Sequence, residues 1–306
     1  MSGAPDLTPE AARVAPFLQC GRFVLSLDRP LVMGVVNVTP DSFSDGGRFL
    51  APGAAVAHAQ RLIAEGASVV DVGGESSRPG AAPVVVAEEL ARVMPVVRAL
   101  RDAAVPVSVD TAKPEVMRAA LAEGASMVND VTALAAPGAL ETVASSDCAV
   151  CLMHMQGEPR TMQLRPVYDD VVRDVKRFLA DRVGAAEHAG IARSRVVIDP
   201  GFGFGKTADH NLELLRRLRE LAGLGVPVLA GWSRKSTLGS ITGRAAADRL
   251  AASVAAALIA VQNGARIVRV HDVAATRDAL AVWQAVEERN CRGDRGRDSR
   301  QAQSGP

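Results

Sequence analysis

Apolar residues fall along this chain in two alternating rhythms. Short unbroken runs, rich in β-branched residues, are each followed by a longer stretch whose apolar positions recur every third or fourth residue. A run of four to eight apolar residues between turn formers reads as a strand buried on both faces. The longer periodic stretches read as helices with one apolar face. The spacing predicts strands at Val32–Val36, Val69–Val72, Val105–Val109, Met127–Val131, Ala149–Met153, Arg195–Ile198, Pro227–Ala230 and Ile267–Val270. It predicts helices over Ala54–Glu65, Val86–Asp102, Pro114–Glu123, Gly138–Ser145, Val167–Ala189, His210–Ala222, Ala245–Asn263 and Ala274–Glu288. Gly66, Gly124 and Gly264 stand where a glycine would end a helix and turn the chain into the next strand.

Strict alternation of strand and helix means a parallel sheet. Eight such units over about 260 residues match a single-domain (β/α)8 TIM barrel better than an open doubly wound sheet. Residues 1–20 are polar and proline-containing and are expected to be an N-terminal extension. Gly21–Leu27 is expected to be a short strand closing one end, within a barrel domain of residues 21–290. Residues 291–306 hold Arg, Asp, Gly, Ser and Gln without an aliphatic run, and are expected to be a disordered tail. No linker divides the chain.

Composition narrows the function more than the fold. The net charge is +1 and no basic stripe stands out, so neither nucleic acid nor a membrane surface is favoured as a partner. Met1–Glu10 shows no basic segment followed by an apolar one, hence no signal-peptide pattern. The Ala-rich run Leu250–Val261 is well short of the ~20 residues of a membrane span. Four cysteines without a framework spacing fit a reducing cytoplasm. Cys148 and Cys151 are three apart on a predicted strand, so they face opposite ways and neither chelate a metal nor form a disulfide. The run Gly201-Phe-Gly-Phe-Gly-Lys-Thr207 lacks the first glycine of a phosphate-binding P-loop and reads as a flexible strand-to-helix loop. His58, His188 and His210 fall on helices or at their ends and are expected to be solvated.

A barrel keeps its chemistry where its strands end. Here those ends carry Asn37, then Glu75-Ser-Ser77-Arg78-Pro79, Asp110, Asn129-Asp130 and His154. Further along they carry Asp199 to Lys206, Trp232 to Ser236, Arg269 and His271. Burial ending at a strand end explains one or two polar residues, not this whole rim. Arg78, Lys235, Arg269 and His271 are donors suited to phosphate oxygens. Asp110, Asn129 and Asp199 suit the edge of a nitrogen heterocycle. Asp110 also has a plainer reading, as a cap for the helix that begins at Pro114. The chain has ten aromatics, and Phe43, Phe202, Phe204 and Trp232 fall at this rim, where stacking on a flat ligand competes with ordinary loop packing.

Several blocks carry a family resemblance. They are Asn37-Val-Thr-Pro-Asp-Ser-Phe-Ser-Asp-Gly-Gly47, Gly74-Glu-Ser-Ser-Arg-Pro-Gly80, Ser108-Val-Asp-Thr111, Val128-Asn-Asp130 and Met153-His-Met-Gln-Gly157. Asp199-Pro-Gly-Phe-Gly-Phe-Gly-Lys206, Ser233-Arg-Lys-Ser236 and Arg269-Val-His271 follow. In this order they resemble the bacterial dihydropteroate synthases, over about residues 21–288. The resemblance implies condensation of p-aminobenzoate with 6-hydroxymethyl-7,8-dihydropterin diphosphate to 7,8-dihydropteroate and diphosphate, by dissociative substitution. It implies that Asp110, Asn129, Asp199 and Lys235 hold the pterin. Asn37, Ser77, Arg269 and His271 would meet the diphosphate, with Asn37 a ligand of Mg²⁺. Phe43, Arg78, Pro79, Phe204 and Ser236 would shape the p-aminobenzoate pocket. Asp110, Lys235, Arg269 and His271 would carry the catalysis. The family also implies a cytoplasmic homodimer and a sulfonamide target. A pterin-binding methyltransferase barrel would share the Asp and Asn contacts but has no use for Ser-Arg-Lys-Ser or a diphosphate site. A non-catalytic pterin-binding homologue should have lost Asn37, Arg78 or Lys235, and all three are present.

Overall fold

The computed structural model describes residues 16–39, 52–76, 80–158 and 160–301. Its centre is an eight-stranded parallel sheet. The strands are β3 (Leu31–Asn37), β4 (Val69–Gly73), β5 (Val107–Asp110), β6 (Met127–Asp130), β7 (Ala149–Met153), β8 (Val196–Asp199), β9 (Leu229–Ala230) and β10 (Ile267–Val270). They run in the order β8-β7-β6-β5-β4-β3-β10-β9. A parallel bridge between Ile198 and Val228, beside the start of β9, closes the ring. All eight predicted strands and the barrel are therefore present.

Alternation along each strand sorts its side chains between two cores. One set packs outward against the helices, as Val32, Val70, Val128 and Val268 do. The other set points inward, and at the bottom of the barrel it is apolar: Met33, Val69, Met127, Val197 and Ile267. An antiparallel hairpin of β1 (Phe17–Cys20) and β2 (Phe23–Ser26) plugs that end. Its Leu18 and Cys20, with Leu27 beyond it, join the same interior cluster. This corrects the expected boundary, because residues 17–20 belong to the fold. Leu18 and Cys20 are wholly buried, and only a second strand supplies the partner that a single closing strand would lack.

The helices are α1 (Pro52–Ala64), α2 (Val86–Ala99), α3 (Pro114–Ala122), α4 (Ala139–Ala144), α5 (Val171–His188), α6 (Ala208–Arg216), α7 (Arg219–Ala222), α8 (Ser236–Thr242), α9 (Leu250–Gln262) and α10 (Val273–Gln301). Capping chemistry sets several starts. Asp170 accepts from the Val172 and Arg173 amides, so α5 begins after the run predicted from Val167. The segment expected as one helix over Ala245–Asn263 opens with a 3₁₀ turn and becomes α-helical only at Leu250. Short α8 was not expected at all. The last helix runs past Glu288 to Gln301, through much of the segment expected as a disordered tail. Extending an existing helix needs no new nucleus, and Arg and Gln are good helix formers.

Cys148 packs in the outer core and Cys151 in the barrel interior, as opposite faces of one strand require. No helix among the described residues is long and apolar enough to cross a membrane.

Candidate active site

The period of two that places apolar residues at the barrel floor also builds the site. Two residues beyond Val69, Met127, Val197 and Ile267 stand Asp71, Asn129, Asp199 and Arg269. Each faces the same interior one layer higher. Asp110 follows buried Ser108 in the same way on β5. A polar layer thus lies on an apolar floor at the carboxyl end of the strands.

Its groups touch. Arg269 donates Nε to Asp71 Oδ2 at 2.6 Å and Nη2 to Asp110 Oδ2 at 2.7 Å. Asn129 Nδ2 donates to the same Asp71 oxygen at 3.1 Å. The other Asp71 oxygen is buried without a hydrogen-bond partner among the described residues. Asp199 accepts the Gly201 amide at 2.7 Å. A Cβ placed on Gly231 would lie 3.9 Å from Arg269 Cβ and 4.0 Å from both Asp199 Oδ2 and Lys235 Nζ, so these groups share one wall. Asp110 does not cap α3, whose N-cap Lys113 has no side-chain cap bond. Its carboxylate faces the mouth instead.

Crowding shapes the charges. Burial pushes Asp110 up to about 7, with Asp71 and Glu89 adding to the rise and Arg269 opposing it. Asp199 is likewise raised by burial, against Lys235 and the Gly201 amide. Burial brings Lys235 down to about 8, with Asp199 resisting. Arg269 stays cationic: the carboxylates of Asp71 and Asp110 hold its proton against desolvation.

The other half of the mouth is arranged around Asn37 and His271. His271 Nδ1 lies 2.9 Å from Ser233 Oγ, and the same hydroxyl accepts the His271 amide at 3.2 Å. A cavity of about 380 Å³ adjoins Asn37 and His271 and is also lined by His58, Arg61, Arg234 and Asp272. Arg234 pairs with Asp272 at 2.7 Å. His58, expected to be solvated, is half-buried there, and burial with Arg61 lowers its pKa. His188 is exposed as expected, while half-buried His210 closes the capping box of α6.

The aromatic expectation holds only in part. Phe202 and Trp232 are buried and pack on each other, centroids 4.7 Å apart. Both side chains turn down into the barrel wall, so they are core, not stacking platforms. Phe204 remains at the mouth, half-buried, with Lys235 Nζ 4.7 Å over its ring. Ser236 is exposed at the start of α8. Phe43, Ser77, Arg78 and Pro79 lie outside the described residues.

One residue was missed by reading strand ends. Asp71 sits inside β4, and its signal was a lone carboxylate in the apolar run Val69-Val-Asp-Val72. Asp130, by contrast, points away from the mouth and accepts the Thr132 and Leu134 amides at 2.7 and 2.8 Å, so it shapes the next turn.

Residues 33–271 match the family described as pterin binding enzyme. The chain is 51% identical over 263 residues to the dihydropteroate synthase of Escherichia coli K12, covering 86% of this chain and 93% of that protein. It is 53% identical over 275 residues to that of Neisseria meningitidis serogroup B, covering 88% and 96%. Among solved structures, Xanthomonas albilineans dihydropteroate synthase with 4-aminobenzoic acid superposes with a TM-score of 0.85. That enzyme is 58% identical, with 90% of this chain and 99% of that one covered. Burkholderia cenocepacia dihydropteroate synthase complexed with 7,8-dihydropteroate superposes at 0.84, with 52% identity and coverage of 91% and 99%. The chain belongs to the pterin-binding enzyme family, among its dihydropteroate synthases.

Proposed function

We propose that this chain joins the amine of p-aminobenzoate to the methylene of 6-hydroxymethyl-7,8-dihydropterin diphosphate. The products are 7,8-dihydropteroate and diphosphate. The observation that carries the reading is the convergence of Asp110, Asn129, Asp199, Lys235 and Arg269 on one mouth. The solved relatives with 4-aminobenzoic acid and with 7,8-dihydropteroate agree with it.

The pterin ring is assigned to the polar layer. Asn129 and Asp199 offer a carbonyl oxygen and a carboxylate to its amino and ring N–H groups, and Lys235 offers donors to its oxygen. The C–O bond to diphosphate breaks first, and its electron pair leaves with the diphosphate. Ionised Asp110 stabilises the positive charge left on the conjugated methylene. The amine lone pair then forms the C–N bond, and the nitrogen loses its proton. Asn37, His271 and the remaining N–H groups of Arg269 are assigned to the departing anion, on the side of the cavity that Asn37 and His271 adjoin. Phe204 and Ser236 face the second substrate. The roles of Phe43, Ser77, Arg78 and Pro79 rest on the resemblance alone.

Mg²⁺ fits this donor set in one way. Among the described residues no cluster of three His, Cys, Asp or Glu could hold a metal, whereas Asn37 ends β3 with a hard amide oxygen. One such donor suits an ion that keeps its waters and rides on phosphate. Held there with the diphosphate, the ion would neutralise the leaving group. The expected result is dihydropteroate formation from both substrates, abolished by chelation and restored by added Mg²⁺. Failure to form product with Mg²⁺ present overturns the reading.

Two further assignments belong to it. Buried free thiols at Cys20, Cys148 and Cys151 support a cytoplasmic enzyme. Ile259 on α9 and Val282 and Val286 on α10 expose apolar side chains, which supports a homodimer through these helices. Sedimentation at twice the chain mass is expected, and a monomer at micromolar concentration excludes it.

A further inference from the structure

The loop after β8 looks mobile by composition, with glycine at every second position from Gly201 to Gly205. The structure shows the opposite. Each carbonyl from Gly201 to Gly205 accepts a hydrogen bond from a side chain. Gly201 and Phe204 receive Lys206 Nζ at 3.0 and 2.9 Å. Phe202 receives Lys235 Nζ, Gly203 receives Gln163 Nε2, and Gly205 receives the Tyr168 hydroxyl at 2.7 Å. The glycines permit this wrapping. A Cβ on Gly201, at φ +68°, would lie 1.9 Å from the His154 carbonyl oxygen, and one on Gly205, at φ +61°, 2.4 Å from that of Gln156.

Lys206 takes two of these carbonyls and is itself 2% exposed. Its other neighbours are His154 Nδ1 at 2.9 Å and the His154 carbonyl at 3.3 Å. Burial and Lys206 hold the His154 pKa down to about 3, so the ring is neutral and its Nδ1 accepts. No carboxylate forms an ion pair with Lys206 among the described residues. A lysine placed this deep among neutral acceptors carries a desolvation cost that a surface tie would avoid.

We propose that Lys206 is a positioning residue for the second-substrate pocket: it grips the loop on both sides of Phe202–Gly203 and so fixes Phe204 and the Phe202 carbonyl against Lys235. The geometry gives the reason. Gly201 and Phe204 flank the peptide whose carbonyl meets Lys235, and Phe204 supplies the ring beneath the same Nζ. Without the Lys206 tie the glycines are free to relax, and the ring moves off the pocket. Lys235 retains the attraction of Asp199, so the pterin side is spared. The inference rests on the aminobenzoate assignment made above.

The test is Lys206→Met, which keeps length and burial and removes the donors. Its KM for p-aminobenzoate is expected to rise about tenfold or more, with KM for the pterin diphosphate within about threefold of wild type. A role confined to folding would lower the active fraction, and thus apparent kcat, without separating the two KM values. His154→Phe keeps the ring contacts with Phe178 and Tyr168 but removes the Nδ1 acceptor. It is expected to show the same split at about threefold, and it decides the matter if Lys206→Met does not fold. An unchanged aminobenzoate KM, or an equal rise in both, overturns the proposal. Wild-type enzyme that forms no dihydropteroate overturns the reading beneath it instead.

Discussion

Asp110→Asn is expected to lower kcat by about 10²–10³-fold while the pterin diphosphate is still bound within about tenfold of wild-type affinity. Asparagine fills the same space and keeps one acceptor, so ring contacts persist. What disappears, on the proposed mechanism, is a negative charge beside a methylene that becomes positive only in the transition state. One unit charge at about 4 Å in a medium of effective dielectric near 20 is worth about 4 kcal/mol, which matches the upper end of that range. Pre-steady-state binding and single-turnover rates separate the two effects. Equal losses in binding and turnover would mean that Asp110 serves only to hold the ring.

The same residue sets the pH behaviour. Asp110 rises from 3.8 to about 7 on folding, and Lys235 falls from 10.5 to about 8. The free enzyme then has both groups in their working charge states only in a narrow window. A bell-shaped kcat/KM is expected, with limbs near 7 and 8, and Asp110→Asn should lose the acid limb. The stability sign follows from the raised carboxyl. The folded state holds the proton more tightly than the unfolded state does. Asp110 therefore favours folding fully below about pH 4, and that contribution is lost as the pH rises through 7. Relative to wild type, Asp110→Asn should gain stability over this interval.

The barrel was legible because its signal is repeated and local. Most strands announce themselves by β-branched residues, and several junctions by a glycine or a capping residue. Polar strand ends also translated directly, since Asp110, Asn129 and Asp199 are carried by alternation to the inner face. What the pattern did not decide was exposure within the glycine-rich loop. Phe202 and Phe204 are two apart in one glycine-rich loop, yet Phe202 is buried and Phe204 lines the mouth. Only the positive-φ glycines between and around them decide which ring turns inward, and a hydropathy pattern holds no record of φ. The loop that holds Lys206 reads as flexible for a related reason. Its glycines suggest freedom, and the burial of Lys206 depends on carbonyls brought close from β7's exit at His154. Asp71 escaped because a search of strand ends passes over the middle of a strand.

Arg269→Met should be the most damaging single change to the fold. Arg269 is the cation paired with Asp71, which is wholly buried, and with Asp110, which is mostly buried. Methionine fills the stem volume but leaves both carboxylates facing each other across an apolar floor. Removing one partner of such a set costs about 3–5 kcal/mol, since the remaining charge stays desolvated and unpaired. The loss should depend on pH in a fixed direction. Arg269 opposes the burial that raises Asp110, so without the guanidinium Asp110 titrates higher still; protonation relieves the variant in acid, and its deficit grows as the pH rises toward 8. Urea denaturation at pH 5 and pH 8 reads this difference directly. Asp71→Asn in the same chain should recover much of the deficit at pH 8, because it removes the charge that has nowhere to go. A deficit below about 1 kcal/mol at pH 8, or one equal at both pH values, would show that the pair contributes little and that solvent already screens it. Either result would also weaken the mechanism. The grip on the diphosphate proposed for Arg269 depends on the carboxylates that hold it in place, and a weakly held guanidinium could not carry that role.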